Sequence, residues 1–185
     1  MDLNRKRMNA GITAEDNRSE LSAGSTVTLE ITAYGSEGQG IARHNGMAVF
    51  VPGAICGETV EAEIKKAAPS FAEAKLQKIL RPSAERVIPP CPHYAECGGC
   101  DILHMSYAEQ LRMKRETVRS AMERIGGFRG IEVLPCIGAD KPEHYRNKAV
   151  FQFANAEKTN KKNLRQVLSG YYEQKSHKLV PVETC

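Results

Sequence analysis

Three cysteines sit within ten residues in Cys91-Pro-His-Tyr-Ala-Glu-Cys97-Gly-Gly-Cys100, spaced C-x5-C-x2-C. Thiolates are soft donors suited to zinc and to iron–sulfur clusters. Gly98-Gly99 lets the backbone turn tightly, so that the last two sulfurs can face one centre. Pro89, Pro90 and Pro92 hold the approach extended and remove backbone donors. A loop of this composition buries little apolar surface, and a metal ion or cluster is the expected staple. Both centres usually take four ligands, and the candidate for the fourth is the remote Cys185. A distant ligand is tolerable because loop-closure entropy grows only logarithmically with length. Compact zinc sites more often show two close cysteine pairs or use histidine. With one close pair here, spacing leans only slightly to a [4Fe–4S] cluster, with zinc as the alternative. His93 and His104 are possible replacement ligands but read better as neighbours of the centre. Cys56 and Cys136 read as ordinary thiols.

The elements that must position this loop follow from hydrophobic period. At 185 residues, 41% apolar and 26% charged, the chain has room for one or two small soluble domains. Its formal charge of +4 permits a nucleic-acid partner without requiring one. No apolar run suits a signal peptide or a membrane span, and the clustered thiols fit a reducing compartment. The expectation is a cytoplasmic protein with no membrane and no obligate protein partner. Residues 1–23 are polar and aperiodic and read as a disordered tail. From there to residue 82 about five short strands alternate with period 2: Thr26–Thr32, Ile41–His44, Met47–Val51, Thr59–Ile64 and Ala72–Ile79. The last could instead be a short helix. Asn45-Gly46 suits a type I′ hairpin. A small antiparallel OB-like barrel is the natural closure, because it removes exposed edges. Gly35–Gly40 reads as a hairpin or bulge, since a phosphate cradle should open a helix and the next segment is another strand.

One prominent helix is expected after the cysteine loop. Ser106-Tyr-Ala-Glu109 has capping-box spacing, and Gly126-Gly127 supplies the stop. Tyr107, Leu111, Val118, Met122 and Ile125 should form its apolar face. The rest reads as β-rich: Ile131–Leu134, Ala149–Phe153, Gln166–Tyr172 and Lys178–Val182, with a basic connection carrying Lys158, Lys161, Lys162 and Arg165. The fold class is therefore mainly β with one prominent helix: a barrel over 24–82, then a cysteine-rich loop and an α+β region over 83–185. For a nucleic-acid partner, Arg43, Lys65, Lys66 and Lys75 on the barrel, with Arg146 and Lys148 beyond it, are the basic candidates. Phe50 and Phe71 are the aromatic ones, although Phe50 is expected in the core.

Taken together in order, Cys91-Pro-x4-Cys97-Gly-Gly-Cys100, Tyr107-x2-Gln110-Leu111-x2-Lys114, Tyr145-Arg-Asn-Lys148 and a late Cys185 resemble the front part of bacterial RNA uracil-5 methyltransferases. Gly38-Gln-Gly40-Ile-Ala and Val49-Phe-Val-Pro-Gly53 followed by Gly57-Glu58 resemble the TRAM domain of that family. Any one motif is weak; the ordered set is specific and runs from about Ser25 to the last residue. The resemblance implies a TRAM barrel that binds RNA and a [4Fe–4S] cluster on Cys91, Cys97, Cys100 and Cys185. It implies methyl transfer from S-adenosylmethionine to C5 of a uridine, in ribosomal RNA by likeness to the 23S enzymes, with transfer RNA as the alternative. In the family a Rossmann-like domain supplies the adenosylmethionine site and the nucleophilic cysteine. Neither motif is present here, so the 185 residues alone are expected to be inactive as a methyltransferase, a portion of a longer protein. C5 of uracil needs a thiolate added at C6 before it can take a methyl group, and neither Cys56 nor Cys136 sits in the nucleophile motif. The competing expectations are a stand-alone RNA-binding module stapled by zinc or a cluster, and a redox protein.

Overall fold

The computed structural model describes residues 21–155 and 167–185. Most of the expected tail, and Lys158, Lys161, Lys162 and Arg165, lie outside the described residues. Five strands build the first body: β1 (Thr26–Tyr34), β2 (Gly40–His44), β3 (Met47–Val51), β4 (Thr59–Ala67) and β5 (Phe71–Arg81). They close into a barrel in the order β1-β2-β3-β5-β4. Alternation sends Leu29, Ile31, Val49, Val51, Val60 and Ile64 inward as an almost solvent-free core. Leu21, ahead of the first strand, packs against that core, and Gly24 N–H donates to the Ile64 carbonyl at 2.8 Å. The segment with ambiguous period is a strand, because its alternate alanines, Ala72 and Ala74, fill the barrel interior.

The barrel is not wholly antiparallel. β3 and β5 pair in parallel, with Ala48 opposite Phe71 and Phe50 opposite Glu73. The β4–β5 hairpin makes this possible by carrying the chain across the barrel before β5 returns beside β3. The β2–β3 turn has Asn45 at φ 47° and Gly46 at φ 83°, both left-handed as a type I′ turn demands. The Gly35–Gly40 turn, closed by Gly35 N–H to the Gln39 carbonyl, leads into β2 and opens no helix.

The single described helix, α1 (Tyr107–Arg124), starts where expected: Ser106 Oγ accepts from Glu109 N–H at 3.2 Å. The reciprocal half of the capping box is absent. Ser106 N–H donates to the Glu85 carbonyl, and the Glu109 carboxylate turns to the barrel. The buried face also differs from the apolar count. Glu109 and Met113 are the buried residues, whereas Val118 is 51% and Ile125 88% exposed. No strand forms at 131–134, which has no pairing partner. Residues 131–139 instead lie along α1, with Arg115 Nε donating to the Val133 carbonyl and Ala139 N–H to the Tyr107 hydroxyl. A second, antiparallel sheet follows, β6 (Gln152–Asn155), β7 (Val167–Tyr172) and β8 (Leu179–Pro181), in the order β6-β7-β8. Among the described residues no helix is long and apolar enough to cross a membrane.

One polar knot ties the barrel to the segment after β5, and a second ties it to the helix. Glu58, fully buried, accepts from Arg86 through both carboxylate oxygens (2.6 and 2.9 Å) and from Ile55 N–H at 2.9 Å; Arg86 also donates to the Gly53 carbonyl. Burial alone would raise the Glu58 carboxyl, but the Arg86 guanidinium and the Ile55 amide overcome it and hold the group below its usual range. In the second knot the Tyr34 hydroxyl donates to Glu109 and accepts from Cys56 N–H. Arg112 Nε meets the same Glu109 carboxylate at 2.6 Å. Burial and the neighbouring carboxylate push the Tyr34 hydroxyl well above its ordinary range.

Candidate metal centre and nucleic-acid interface

The cysteine loop is fixed from both sides by backbone hydrogen bonds. Cys97 N–H donates to the His93 carbonyl at 2.8 Å, and Gly98 N–H reaches the Tyr172 carbonyl at 2.9 Å, docking the loop on β7. Val87 N–H to the His104 carbonyl and an isolated bridge between Arg86 and Met105 close the base of the loop. Gly98 and Gly99 do not take left-handed backbone. Gly98 is required because of close approach: a Cβ there would stand 2.6 Å from the Tyr172 carbonyl oxygen, whereas one on Gly99 would meet Cys97 Sγ in ordinary contact at 3.4 Å.

This docking brings Cys91, Cys97, Cys100 and Cys185 to the wall of one cavity of about 610 Å³. β8 leads directly to Cys185, so the second sheet presents the remote thiol to the loop. The four groups are close enough to act on one another. Burial first, and then the negative charge of the Cys185, Cys97 and Cys91 sulfurs, pushes the Cys100 thiol above its ordinary value. Gly99 N–H points at Cys97 Sγ at 3.4 Å, the kind of donor that stabilises a thiolate. Among the described residues, however, no three His, Cys, Asp or Glu side chains are grouped so as to hold a single metal ion. The thiols share a cavity without converging on a point.

The alternative ligands separate. His93 lines the thiol cavity; His104 does not. His104 is 3% exposed, its Nδ1 engages the Tyr94 hydroxyl, and its Nε2 is buried with no partner. Burial, helped by the Arg86 charge, lowers its imidazole to about 4. Cys56 is half-buried and its amide belongs to the Tyr34 knot; half-buried Cys136 lies on the segment beside α1. Neither joins the four-thiol cavity.

The basic candidates divide as well. On the barrel exterior, register sets Arg43 opposite Ala48, Ala48 beside Phe71, and Phe50 between Ile41 and Glu73. Phe50 therefore points away from the core, against expectation, because its neighbours Val49 and Val51 take the inward positions. Phe50 and Phe71 meet edge to face with centroids 6.0 Å apart, and the Lys66 ammonium lies 5.8 Å from the Phe71 centroid. Arg43, Lys66 and the two rings thus share one outer face. Lys65 and Lys75 lie elsewhere on the barrel, around Glu63: Lys65 pairs with it at 2.5 Å and Lys75 is its register partner. Arg146 lines the thiol cavity, and Lys148 is exposed on the irregular segment before β6. Of the joint residues Tyr34, Glu58, Arg86 and Glu109, the capping position marks Glu109 and the TRAM-like motif includes Glu58, while nothing in the spacing marks Tyr34 or Arg86.

Residues 20–77 match the family model described as the TRAM domain. A protein named uncharacterized RNA methyltransferase from Clostridium tetani is 42% identical over 161 residues, covering 87% of this chain and 33% of its own length. One of the same description from Halalkalibacterium halodurans is 40% identical over 176 residues, 94% of this chain and 36% of its own. The chain spans about a third of the length of the curated relatives it matches. The crystal structure of Pyrococcus abyssi tRNA (uracil-54, C5)-methyltransferase in complex with S-adenosyl-L-homocysteine aligns over 85% of this chain and 32% of its own. Its TM-score of 0.50 at 24% identity shows a shared fold. The chain thus carries a TRAM-matching barrel and is similar over most of its length to about a third of relatives named uncharacterized RNA methyltransferase.

Proposed function

We propose that this chain is the RNA-binding, cluster-holding portion of an S-adenosylmethionine-dependent RNA uracil-5 methyltransferase of the cytoplasm, acting on ribosomal RNA. The observation that carries the reading is the meeting of Cys91, Cys97, Cys100 and Cys185 in one cavity beside a TRAM barrel. These are the four positions the motif resemblance marks. A cavity that spreads four thiols fits a [4Fe–4S] cluster better than zinc, whose tetrahedral Zn–S bonds of about 2.3 Å draw all four sulfurs onto one point. When bound, the cluster ties the loop to the end of β8 and shapes the surface beside it. Methyl transfer is assigned to the part of the relatives' length that this chain does not match. Exposed Val118, Ile125, Leu134, Ile137 and Val150 support that division, since such apolar groups suit a surface on which more protein packs.

The chain purified without oxygen should be brown, with a broad band near ~400 nm and about four irons per chain, in keeping with four-thiolate ligation. A colourless protein with one zinc would instead make it a stapled RNA-binding module.

RNA is assigned to the outer barrel face. There Arg43 and Lys66 meet phosphates while the T-shaped pair of Phe50 and Phe71 offers a ring to an unpaired base. Replacing Arg43 and Lys66 together by alanine should weaken binding of single-stranded RNA and flatten its log–log salt slope by about 1.4, roughly 0.7 per lost phosphate contact. An unchanged slope would return this face to solvent. Replacing Lys65 and Lys75, grouped around Glu63, should change the slope less.

A further inference from the structure

We propose that Tyr94, seated on buried His104, is the positioning residue of the cysteine loop: it holds the two arms of the loop at a separation that admits a cluster and disfavours a single zinc ion. The inference rests on the cluster reading above. Tyr94 stands in the middle of the arc between Cys91 and Cys97. This arc is a run of turns in which Tyr94 N–H donates to the Cys91 carbonyl at 3.2 Å and Cys97 N–H to the His93 carbonyl at 2.8 Å. The Tyr94 hydroxyl leaves the arc and donates to the Asp101 carbonyl at 2.9 Å, on the residue directly after Cys100. One side chain thus ties the arm bearing Cys91 and Cys97 to the arm bearing Cys100. Asp101 is gripped a second time: its carboxylate accepts from Gln174 Nε2 at 2.9 Å, on the turn between β7 and β8. The sheet that leads to Cys185 is therefore tied to the same residue.

His104 fixes where this tie sits. Its imidazole is 3% exposed, has its centroid 5.9 Å from that of the Tyr94 ring, and meets the Tyr94 hydroxyl through Nδ1. A phenol has one proton to give. With that proton on the Asp101 carbonyl, Nδ1–H of His104 donates to the Tyr94 oxygen. The base beneath is itself held. The His104 carbonyl accepts from Val87 N–H at 3.0 Å, Met105 bridges to Arg86, and Arg86 is gripped by buried Glu58. The arms are therefore placed by the folded body and not by a metal alone. Among the described residues the thiols share a cavity without converging. Arms pinned in this way resist being drawn onto one zinc ion with Zn–S bonds of about 2.3 Å.

The test uses the 185-residue chain produced with both iron and zinc present, as wild type, Tyr94→Phe, His104→Asn and His104→Leu. Tyr94→Phe keeps the ring and loses the tie. His104→Asn keeps an N–H near the place of Nδ1, and His104→Leu removes it. Iron and zinc per chain, the rate of iron release to a chelator and the urea midpoint of the metal-free chain are measured. Tyr94→Phe and His104→Leu should release iron about tenfold faster, the low end of the cost of losing a partner behind metal ligands. Both should also exchange part of their iron for zinc, while His104→Asn stays near wild type. A tie that only stabilises the fold would lower the urea midpoint and both metals together, and that result overturns the proposal. An iron-loaded wild type whose variants keep its iron content and release rate overturns this inference alone. A wild-type chain that takes up zinc, or no metal, overturns the cluster reading and this inference together.

Discussion

Glu58→Ala should lower the stability of the chain by about 3–5 kcal/mol, the usual cost of breaking a buried ion pair from one side. The carboxylate is fully buried and accepts from Arg86, Ile55 and, at 3.3 Å, Ser83. Its removal strands a mostly buried guanidinium and leaves backbone donors unpaired in a region closed to water. Glu58→Gln keeps an acceptor for the amides and should fall in between. A double replacement, Glu58→Leu with Arg86→Met, should recover much of the loss, because apolar isosteres of a buried pair are often neutral. Urea midpoints of the four proteins measure this. A single-variant loss under about 1 kcal/mol would mean that water reaches the pair and that the joint is held elsewhere.

Acidification should destabilise the chain well before its carboxylates titrate. His104 is held neutral in the fold, at about 4, against an ordinary value of 6.5. Between those values the unfolded chain binds a proton that the folded chain refuses, so stability rises with pH across that window. The contribution is complete above about 6.5, declines as pH falls, and reaches roughly 3 kcal/mol of lost stability by pH 4. Glu58 acts in the same direction at lower pH, since a depressed carboxyl loses its contribution only as it protonates. Thermal midpoints from pH 7 to pH 4.5 should therefore fall steadily in the wild type and more gently in His104→Gln. Equal slopes would show that His104 titrates normally, with solvent reaching its unpartnered Nε2.

Strand positions were legible because burial in a small barrel imposes period 2 on every strand, and Thr26–Thr32 and Met47–Val51 carry it openly. The parallel β3–β5 contact was not, since nothing in Ala48 or Phe71 encodes its partner; that pairing follows from barrel closure. The buried side of α1 is not legible in the sequence for a related reason. Counting apolar residues favours Val118 and Ile125, yet a tyrosine on β1 draws the charged Glu109 inward. Phe50 looked like core because aromatic residues usually are, but alternation with Val49 and Val51 decides its face. For the metal centre, spacing singled out the loop of Cys91, Cys97 and Cys100. Cys185 has no local spacing signal and is marked only by motif resemblance, and the second sheet carries it to the same cavity.

Barrel closure also shapes how the chain can assemble. β1–β2–β3 is a meander and β4–β5 a hairpin, so both can form from contacts near in sequence. The seams between them, β1–β4 and the parallel β3–β5, join residues far apart along the chain and bear the larger entropy of chain closure. Neither half buries its apolar face alone: Leu29, Ile31, Val49 and Val51 come from the meander, and Val60, Ile64 and Ala72 from the hairpin. The two seams should therefore close together, in one cooperative step. Amides on all five strands should then exchange with solvent through a shared opening rather than as independently fraying edges.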